Sequence, residues 1–171
     1  QVLNSISRGK VFTQVDLYSG YWQIPPRPED REKTAFVTTG GLWEWIVMPF
    51  GLTNAPATFQ SYMEKVLKPV LHKFCEVYID DLIIFSETPE EHAKHVAEVF
   101  ELLRKAGLKM KVEKCHFGVE VMQVLGFEFS PEGLKPQKSK VEALMRVEPA
   151  HTSTGILKFL GLARYYQRFI P

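Results

Sequence analysis

Two adjacent carboxylates, Asp80 and Asp81, sit between the apolar runs Val77-Tyr78-Ile79 and Leu82-Ile83-Ile84-Phe85. Both runs are rich in β-branched and aromatic residues and read as strands. Neighbouring side chains on a strand point to opposite faces. The natural place for the pair is therefore the two-residue turn of a hairpin, where one or both carboxylates can face the same point. Acidic groups wedged between buried strands are costly unless they are paired or bound to a cation. The spacing thus predicts a cation holder, against the simpler reading in which an Asp pair is ordinary turn chemistry.

Around this hairpin the chain alternates strands and helices. Val11 to Leu17 reads as a strand carrying a lone Asp16, followed by a turn at Ser19-Gly20 and the run Tyr21-Trp22-Gln23-Ile24. Pro25, Pro26 and Pro28 exclude a helix there, and 29–33 is a charged turn. Thr34 to Thr39 and Leu42 to Met48 read as a hairpin joined at Gly40-Gly41, with Trp43 and Trp45 on one face by alternation. Asn54 is the expected cap of a helix running to about Val70, with apolar residues at 59, 62, 63, 66, 67 and 70. Phe74 to Ile79 and Leu82 to Ser86 are the hairpin arms. Thr88-Pro89-Glu90-Glu91 has the capping pattern of a helix that runs to about Lys105 and ends at Gly107. His92 and His95 on that helix read as part of a plain polar face, since no third convergent ligand is evident. Val121 to Phe129 reads as strands around Gly126, and 137–147 and 153–169 as helices separated by Pro149. Hairpins interleaved with helices predict an α+β fold, an antiparallel sheet with helices on one face.

Composition narrows the class. The chain has 171 residues, 45% hydrophobic and 24% charged, with twelve Phe and three Trp, enough for a folded core. No apolar run approaches the roughly 20 residues a membrane helix needs, and no secretory leader is visible. The expectation is an intracellular protein, in a cytoplasmic particle or the nucleus and not secreted, with Cys75 and Cys115 as reduced thiols. The net charge of +1 conceals an asymmetry: residues 1–103 carry −5 and residues 104–171 carry +6. An acidic half followed by a basic one suits a protein holding cations in one place and phosphates in another.

If the first strand pairs beside the hairpin, Asp16, Asp80 and Asp81 converge. Three carboxylates with no His or Cys among them are hard oxygen ligands, selecting Mg²⁺ or Mn²⁺ over zinc. Such ions commonly clamp the attacking and leaving oxygens of phosphoryl displacement.

Tyr78-Ile79-Asp80-Asp81 resembles the Tyr-x-Asp-Asp box of reverse transcriptases. Further segments are similar to the Ty3/Gypsy-type LTR retrotransposon branch of that family, in its order: Val15–Ile24, Glu32–Phe36, Val47–Gln60, Gly107-Leu108-Lys109 with Lys114-Cys115, Leu125-Gly126, and Phe159–Tyr166. The resemblance implies a right-hand polymerase palm, ferredoxin-like, with partial fingers, over residues 1–130, and the beginning of the thumb over 131–171. The function implied is an RNA-directed DNA polymerase core, part of a Pol polyprotein, adding dNTPs to a primer 3′-hydroxyl on an RNA or DNA template with two Mg²⁺ (or Mn²⁺) ions.

By the same resemblance Asp16, Asp80 and Asp81 are the catalytic metal ligands, Asp16 and Asp80 foremost. Lys114, with Lys111 second, is the cation near the leaving pyrophosphate. Leu17, Tyr18, Ser19 and Gly20 would meet the triphosphate through their backbone, and Tyr21 would block a 2′-hydroxyl. Phe50 and Gly51 would contact the new base pair. Tyr78, Leu125, Gly126, Phe127, Lys158 and Arg164 would serve primer and template. The implied partners are template-primer, dNTP and the remaining Pol domains (fingers, thumb, connection, RNase H), with no membrane. Pro26, Trp43-Glu44-Trp45, Val121-Met122-Gln123 and Glu148-Pro149-Ala150-His151 depart from the usual pattern. With the upstream fingers and the rest of the thumb outside these 171 residues, the isolated fragment is expected to be inactive. The alternative is a catalytically inactive nucleic-acid-binding or scaffold module derived from a retroelement; a template-independent or RNA-copying polymerase on a similar palm is disfavoured by Tyr21.

Overall fold

A computed structural model of the chain describes residues 2–146 and 152–170. The expected end of a helix at Val147, the break at Pro149 and the unusual stretch 148–151 lie outside the described residues. The chain divides into two compact units, Gln1–Val119 and Glu120–Pro171.

The first unit is built on a four-stranded antiparallel sheet of β1 (Val11–Asp16), β4 (Cys75–Tyr78), β5 (Asp81–Ser86) and β6 (His116–Val119), in the order β4-β5-β1-β6. β1 lies between β5 and β6. Alternation sorts its residues: Val15 faces the core with Val77, Leu82 and Ile84, whereas Gln14 and Asp16 face the other way with Asp81 and Ile83. Against the core face pack α2 (Ala55–Leu67) and α3 (Pro89–Lys105). The i, i+4 spacing of Ala55, Phe59, Met63 and Leu67 gives α2 one continuous buried stripe. Each of its three larger side chains contributes about 1.5–3 kcal/mol by leaving water. The opposite face is covered too: Ile6 of α1 (Val2–Ile6), Phe12 and Ile83 are all fully buried. Alternating helices and antiparallel strands, with the two long helices on one face, match the expected α+β class.

Several local expectations are corrected. Both arms of the hairpin expected over 34–48 are shorter than predicted, β2 being Phe36–Thr38 and β3 Gly41–Trp43, and Thr38 pairs with Gly41, so the turn is Thr39-Gly40 and not Gly40-Gly41. Trp45 is therefore outside the alternating pattern that grouped it with Trp43. Trp43 Nε1 instead donates to Thr38 Oγ1 at 3.1 Å, and Trp45 stacks on Trp22. Asn54 sits at the start of α2 without a side-chain cap, because its own backbone is already helical. Thr88 does cap α3, accepting the Glu91 N–H.

His92 is not on a polar face. It is 5% exposed, with Nε2 2.7 Å from Thr13 Oγ1 and Nδ1 2.8 Å from Ser86 Oγ. Ser86 Oγ also meets His95 Nδ1, and the His95 ring stacks on Phe74. Thr13 Oγ1 accepts the Gly118 N–H as well, so one buried polar network ties β1, β5, β6 and α3 together. Burial, then the neighbouring His95, lowers the His92 pKa below the ordinary imidazole value.

The second unit is a three-stranded antiparallel meander, β7 (Met122–Val124), β8 (Phe127–Ser130) and β9 (Gly133–Pro136), with helices α4 (Lys138–Met145) and α5 (Ser153–Tyr165). β9 was not anticipated, nor were α1 and β6 in the first unit. The last helix ends at Tyr165 and gives way to a 3₁₀ turn over Gln167–Phe169. Among the described residues no helix is long and apolar enough to cross a membrane.

Candidate active site

The hairpin turn is displaced by one residue from its expected place. Tyr78 pairs with Asp81, so Ile79 and Asp80 form the turn and Asp81 belongs to β5. Ile79 takes φ 54°, a left-handed conformation that a β-branched residue rarely adopts. Gln60 on α2 holds it there: its Oε1 accepts the Ile79 N–H at 2.8 Å while its Nε2 donates to the Val77 carbonyl at 3.1 Å.

Asp16 closes β1 directly opposite Asp81. Asp16 and Asp80 open into a cleft of about 350 Å³, lined further by 17–21, Phe50, Lys111 and Lys114. Asp81 is not part of that lining. Its Oδ1 accepts a hydrogen bond from Gln14 Nε2 at 2.8 Å, which holds it on the sheet face beside Asp16. Of the three carboxylates expected to converge, the cleft therefore receives two. Partial burial, then the Asp81 and Asp16 charges, raise the Asp80 carboxyl above its ordinary value. Lys114 Nζ lies 3.8 Å from Asp16 Oδ2, with both side chains well exposed. Such a surface pair is worth about 0–1 kcal/mol, so the ammonium can turn to a stronger anion in the cleft at little cost.

The segment after Asp16 is shaped by close packing. Ser19 adopts a left-handed conformation, φ 48°, and introduces a 3₁₀ turn over Gly20–Gln23. A Cβ on Gly20 would come within 2.8 Å of Phe59 Cζ, so only glycine lets this turn lie on α2. Tyr21 packs edge-on to Phe59 and tilted against Phe50, each at 5.4 Å between centroids. Burial, then the Asp80 charge, raises the pKa of its phenol. The Tyr18 amide is already engaged by the Lys109 carbonyl, which removes it from the backbone donors expected to meet an anion. Phe50 is 63% exposed, and Gly51, at φ 92°, lies in an adjoining cleft with Trp22 and Trp45. Tyr78 is exposed beside the turn.

The remaining predicted residues lie in the second unit. Leu125 and Gly126 form the two-residue β7–β8 turn, both at positive φ as a type I′ turn requires. Their carbonyls accept hydrogen bonds from the Tyr165 and Tyr166 hydroxyls. Phe127 is fully buried against Tyr165, Tyr166 and Phe169, so its side chain packs the hairpin and is not presented to a ligand. Lys158 and Arg164 are exposed on α5.

Four residues with roles at the cleft escaped the sequence reading. Besides Gln60 and Gln14, Gln23 donates to the Tyr18 and Lys109 carbonyls and accepts the Lys109 N–H, which fastens the turn to the lysine-bearing segment. Cys115 Sγ accepts the Asp16 N–H. The available signal was the placement of three amides, groups that both donate and accept, within a few residues of turns or carboxylates.

Among the described residues no three or more His, Cys, Asp or Glu side chains are gathered closely enough to cage a metal. The donor set nevertheless suits Mg²⁺, which is usually held by one or two carboxylates together with substrate phosphates. Burial first, and the Asp81 and Asp16 charges second, disfavour the ionised Asp80 carboxylate, and a cation would offset both.

The family described as reverse transcriptase (RNA-dependent DNA polymerase) matches residues 1–129. The chain is 42% identical over its whole length to the retrovirus-related Pol polyprotein from transposon 297 of Drosophila melanogaster, and 40% identical over 99% of its length to that from transposon gypsy. It covers 16% of each of those relatives. With the transposon Tf2-3 polyprotein of Schizosaccharomyces pombe it shares 32% identity over its full length, covering 13% of that protein. The structure of the foamy viral protease-reverse transcriptase dRH in complex with double-stranded DNA superposes with a TM-score of 0.86 at 27% identity, over 99% of this chain and 30% of that one. The chain belongs to the reverse transcriptase family, in the branch carried by Ty3/Gypsy-type retrotransposons.

Proposed function

We propose that this chain is the palm-centred catalytic core, with partial fingers and the start of the thumb, of an RNA-directed DNA polymerase. The observation that carries this reading is the shared cleft of Asp16 and Asp80, walled by Tyr21 and flanked by Lys111 and Lys114. Asp16 and Asp80 would hold two Mg²⁺ (or Mn²⁺) ions, with Asp81 supporting them from the sheet face. Metal bound there supplies a lowered pKa for the primer 3′-hydroxyl and charge neutralisation for the phosphates of the incoming dNTP. Lys114 would turn from Asp16 to the leaving pyrophosphate. Tyr21, packed against Phe50 and Phe59, would exclude a sugar bearing a 2′-hydroxyl. Leu125-Gly126, Tyr78, Lys158 and Arg164 would meet template-primer.

The test is primer extension by the complete Pol protein carrying Asp80→Asn. Losing a charged metal ligand removes several kcal/mol of transition-state stabilisation, so the rate should fall at least about 10³-fold. Extension within tenfold of wild type would overturn the reading. The net +6 of residues 104–171 favours a second reading, a nucleic-acid-binding scaffold. That reading would be supported by salt-dependent binding of template-primer with no extension by the intact protein.

A further inference from the structure

Between β1 and the lysine-bearing segment the ladder breaks where the cleft begins. β6 pairs with β1 at Phe12 and Gln14, and the register shifts between them. By the level of Asp16 the neighbouring chain is a 3₁₀ turn, Val112–Lys114, which presents no ladder carbonyl to the Asp16 N–H. A sulfur occupies that place. Cys115 Sγ accepts the Asp16 N–H at 3.4 Å, and its S–H is directed to the Lys111 carbonyl at 3.3 Å. The Lys111 N–H in turn donates to the Asp16 carbonyl at 2.9 Å, and the Lys111 carbonyl accepts the Lys114 N–H at 2.9 Å. One thiol thus closes a ring of contacts joining the backbone of Asp16 to that of both cleft lysines. The other cysteine, Cys75, is fully buried in the core away from this ring.

We propose that Cys115 is a positioning residue for Asp16, setting the carboxylate's distance to Asp80 and keeping Lys111 and Lys114 over the cleft. This rests on the reading of the Asp16–Asp80 cleft as a metal site. Without the thiol the Asp16 N–H loses its acceptor among the described contacts, and the end of β1 is left to the Lys111 amide, the Leu17–Met110 bridge and the Tyr18–Lys109 bond, none of which engages that N–H. Groups that orient a metal ligand through a second contact typically change metal affinity by about 10- to 100-fold when removed.

The experiment uses the complete Pol protein and compares Cys115→Ala, Cys115→Ser and Asp16→Asn. Free Mn²⁺ is read by electron paramagnetic resonance, and sites surviving in Asp16→Asn are subtracted, so only the cleft is counted. Cys115→Ala should weaken cleft Mn²⁺ binding about tenfold and raise the Mg²⁺ concentration for half-maximal primer extension by a similar factor, with little change in the rate at saturating Mg²⁺. Cys115→Ser, whose hydroxyl also donates and accepts, should recover to within about threefold of wild type. Should the alanine variant fail to fold, Cys115→Val keeps the volume without the hydrogen bonds and is expected to show the same loss. Wild-type metal dependence in a folded Ala or Val variant overturns the proposal, as does equal loss in Ser and Ala. If Asp16→Asn removes no Mn²⁺ site at all, it is the metal reading of the cleft that fails. If Asp16→Asn removes a site that Cys115→Ala leaves intact, only the positioning role fails.

Discussion

Replacing Thr13 by valine would separate the buried polar network from the apolar packing of β1, three residues before Asp16. The two side chains have nearly the same shape, so no cavity opens, and the cost is that of the lost hydroxyl. Thr13 is fully buried and His92 5% exposed, and their contact is 2.7 Å. Leaving His92 Nε2 without a partner there costs about 1–3 kcal/mol. The Gly118 N–H also loses its acceptor, but Gly118 is exposed and water replaces most of that bond, adding about 0.5 kcal/mol. The total is about 1.5–3.5 kcal/mol. For a unit of this size that lowers the melting temperature by roughly 5–18 °C. All three tryptophans, Trp22, Trp43 and Trp45, belong to the first unit, so tryptophan fluorescence during a thermal ramp reports on it selectively. Thr13→Ser keeps the hydroxyl and gives up one buried methyl, about 1 kcal/mol, and should melt between the two. A Thr13→Val melt within about 2 °C of wild type, or below which Thr13→Ser falls, would refute the network's role in holding β1.

The same network predicts a pH dependence. Because burial and His95 lower the folded-state pKa of His92, the unfolded chain binds more protons between that pKa and the ordinary value of about 6.5. Stability is then fully present above about pH 6.5 and declines as pH falls through the window below it. Urea midpoints from pH 8 to 5 should show this decline, His92→Gln should flatten it, and a rise on acidification would contradict the assignment. A further outcome concerns Glu76, which is 1% exposed, has Oε2 2.9 Å from His72 Nδ1, and has no partner for Oε1 among the described residues. A buried carboxylate so poorly compensated costs more than an apolar side chain of similar volume. Glu76→Leu should raise stability by about 1–2 kcal/mol in the same fluorescence melt. A loss of more than 1 kcal/mol would show that the carboxylate's second oxygen serves a contact the described residues do not supply.

What could be read in advance follows from how local its cause is. The stripe 59, 63, 67 on α2 and the Thr88 cap of α3 depend on spacing and on a residue's own near neighbours, and both are present. That Asp16 joins the pair was legible only as a condition, that the first strand lie beside the hairpin, and the β1–β5 pairing meets it. His92 was misread because its partners, Thr13 and Ser86, are 79 and 6 residues away in sequence and none of the three carries a patterned signal. β6 and β9 are four residues each and are held by pairing, not propensity. The roles of Gln14, Gln23, Gln60 and Cys115 exist only once distant segments meet: Cys115 reaches Asp16 across 99 positions.

The apolar pattern alone does not fix the displaced turn. Cys75 and Val77 are core residues and share a face with Ile84 and Leu82, in the pairs Cys75–Ile84 and Val77–Leu82. A turn at Asp80-Asp81 would pair Ile79 with Leu82 and Val77 with Ile84. That is a shift of two residues, which leaves every β4 side chain on its present face. The left-handed Ile79 costs about 1–2 kcal/mol and is eased by Gln60. Gln60 grips the observed register at both the Val77 carbonyl and the Ile79 N–H, and the consequence is chemical. Asp80, carried by the turn, leans into the cleft with Asp16, while Asp81, carried by the strand, faces Gln14 on the sheet. Two neighbouring carboxylates acquire different surroundings, one crowded and shifted upward, the other held by an amide. The different roles proposed for Asp80 and Asp81 thus trace back to the hairpin register, which places one in the turn and the other on the strand.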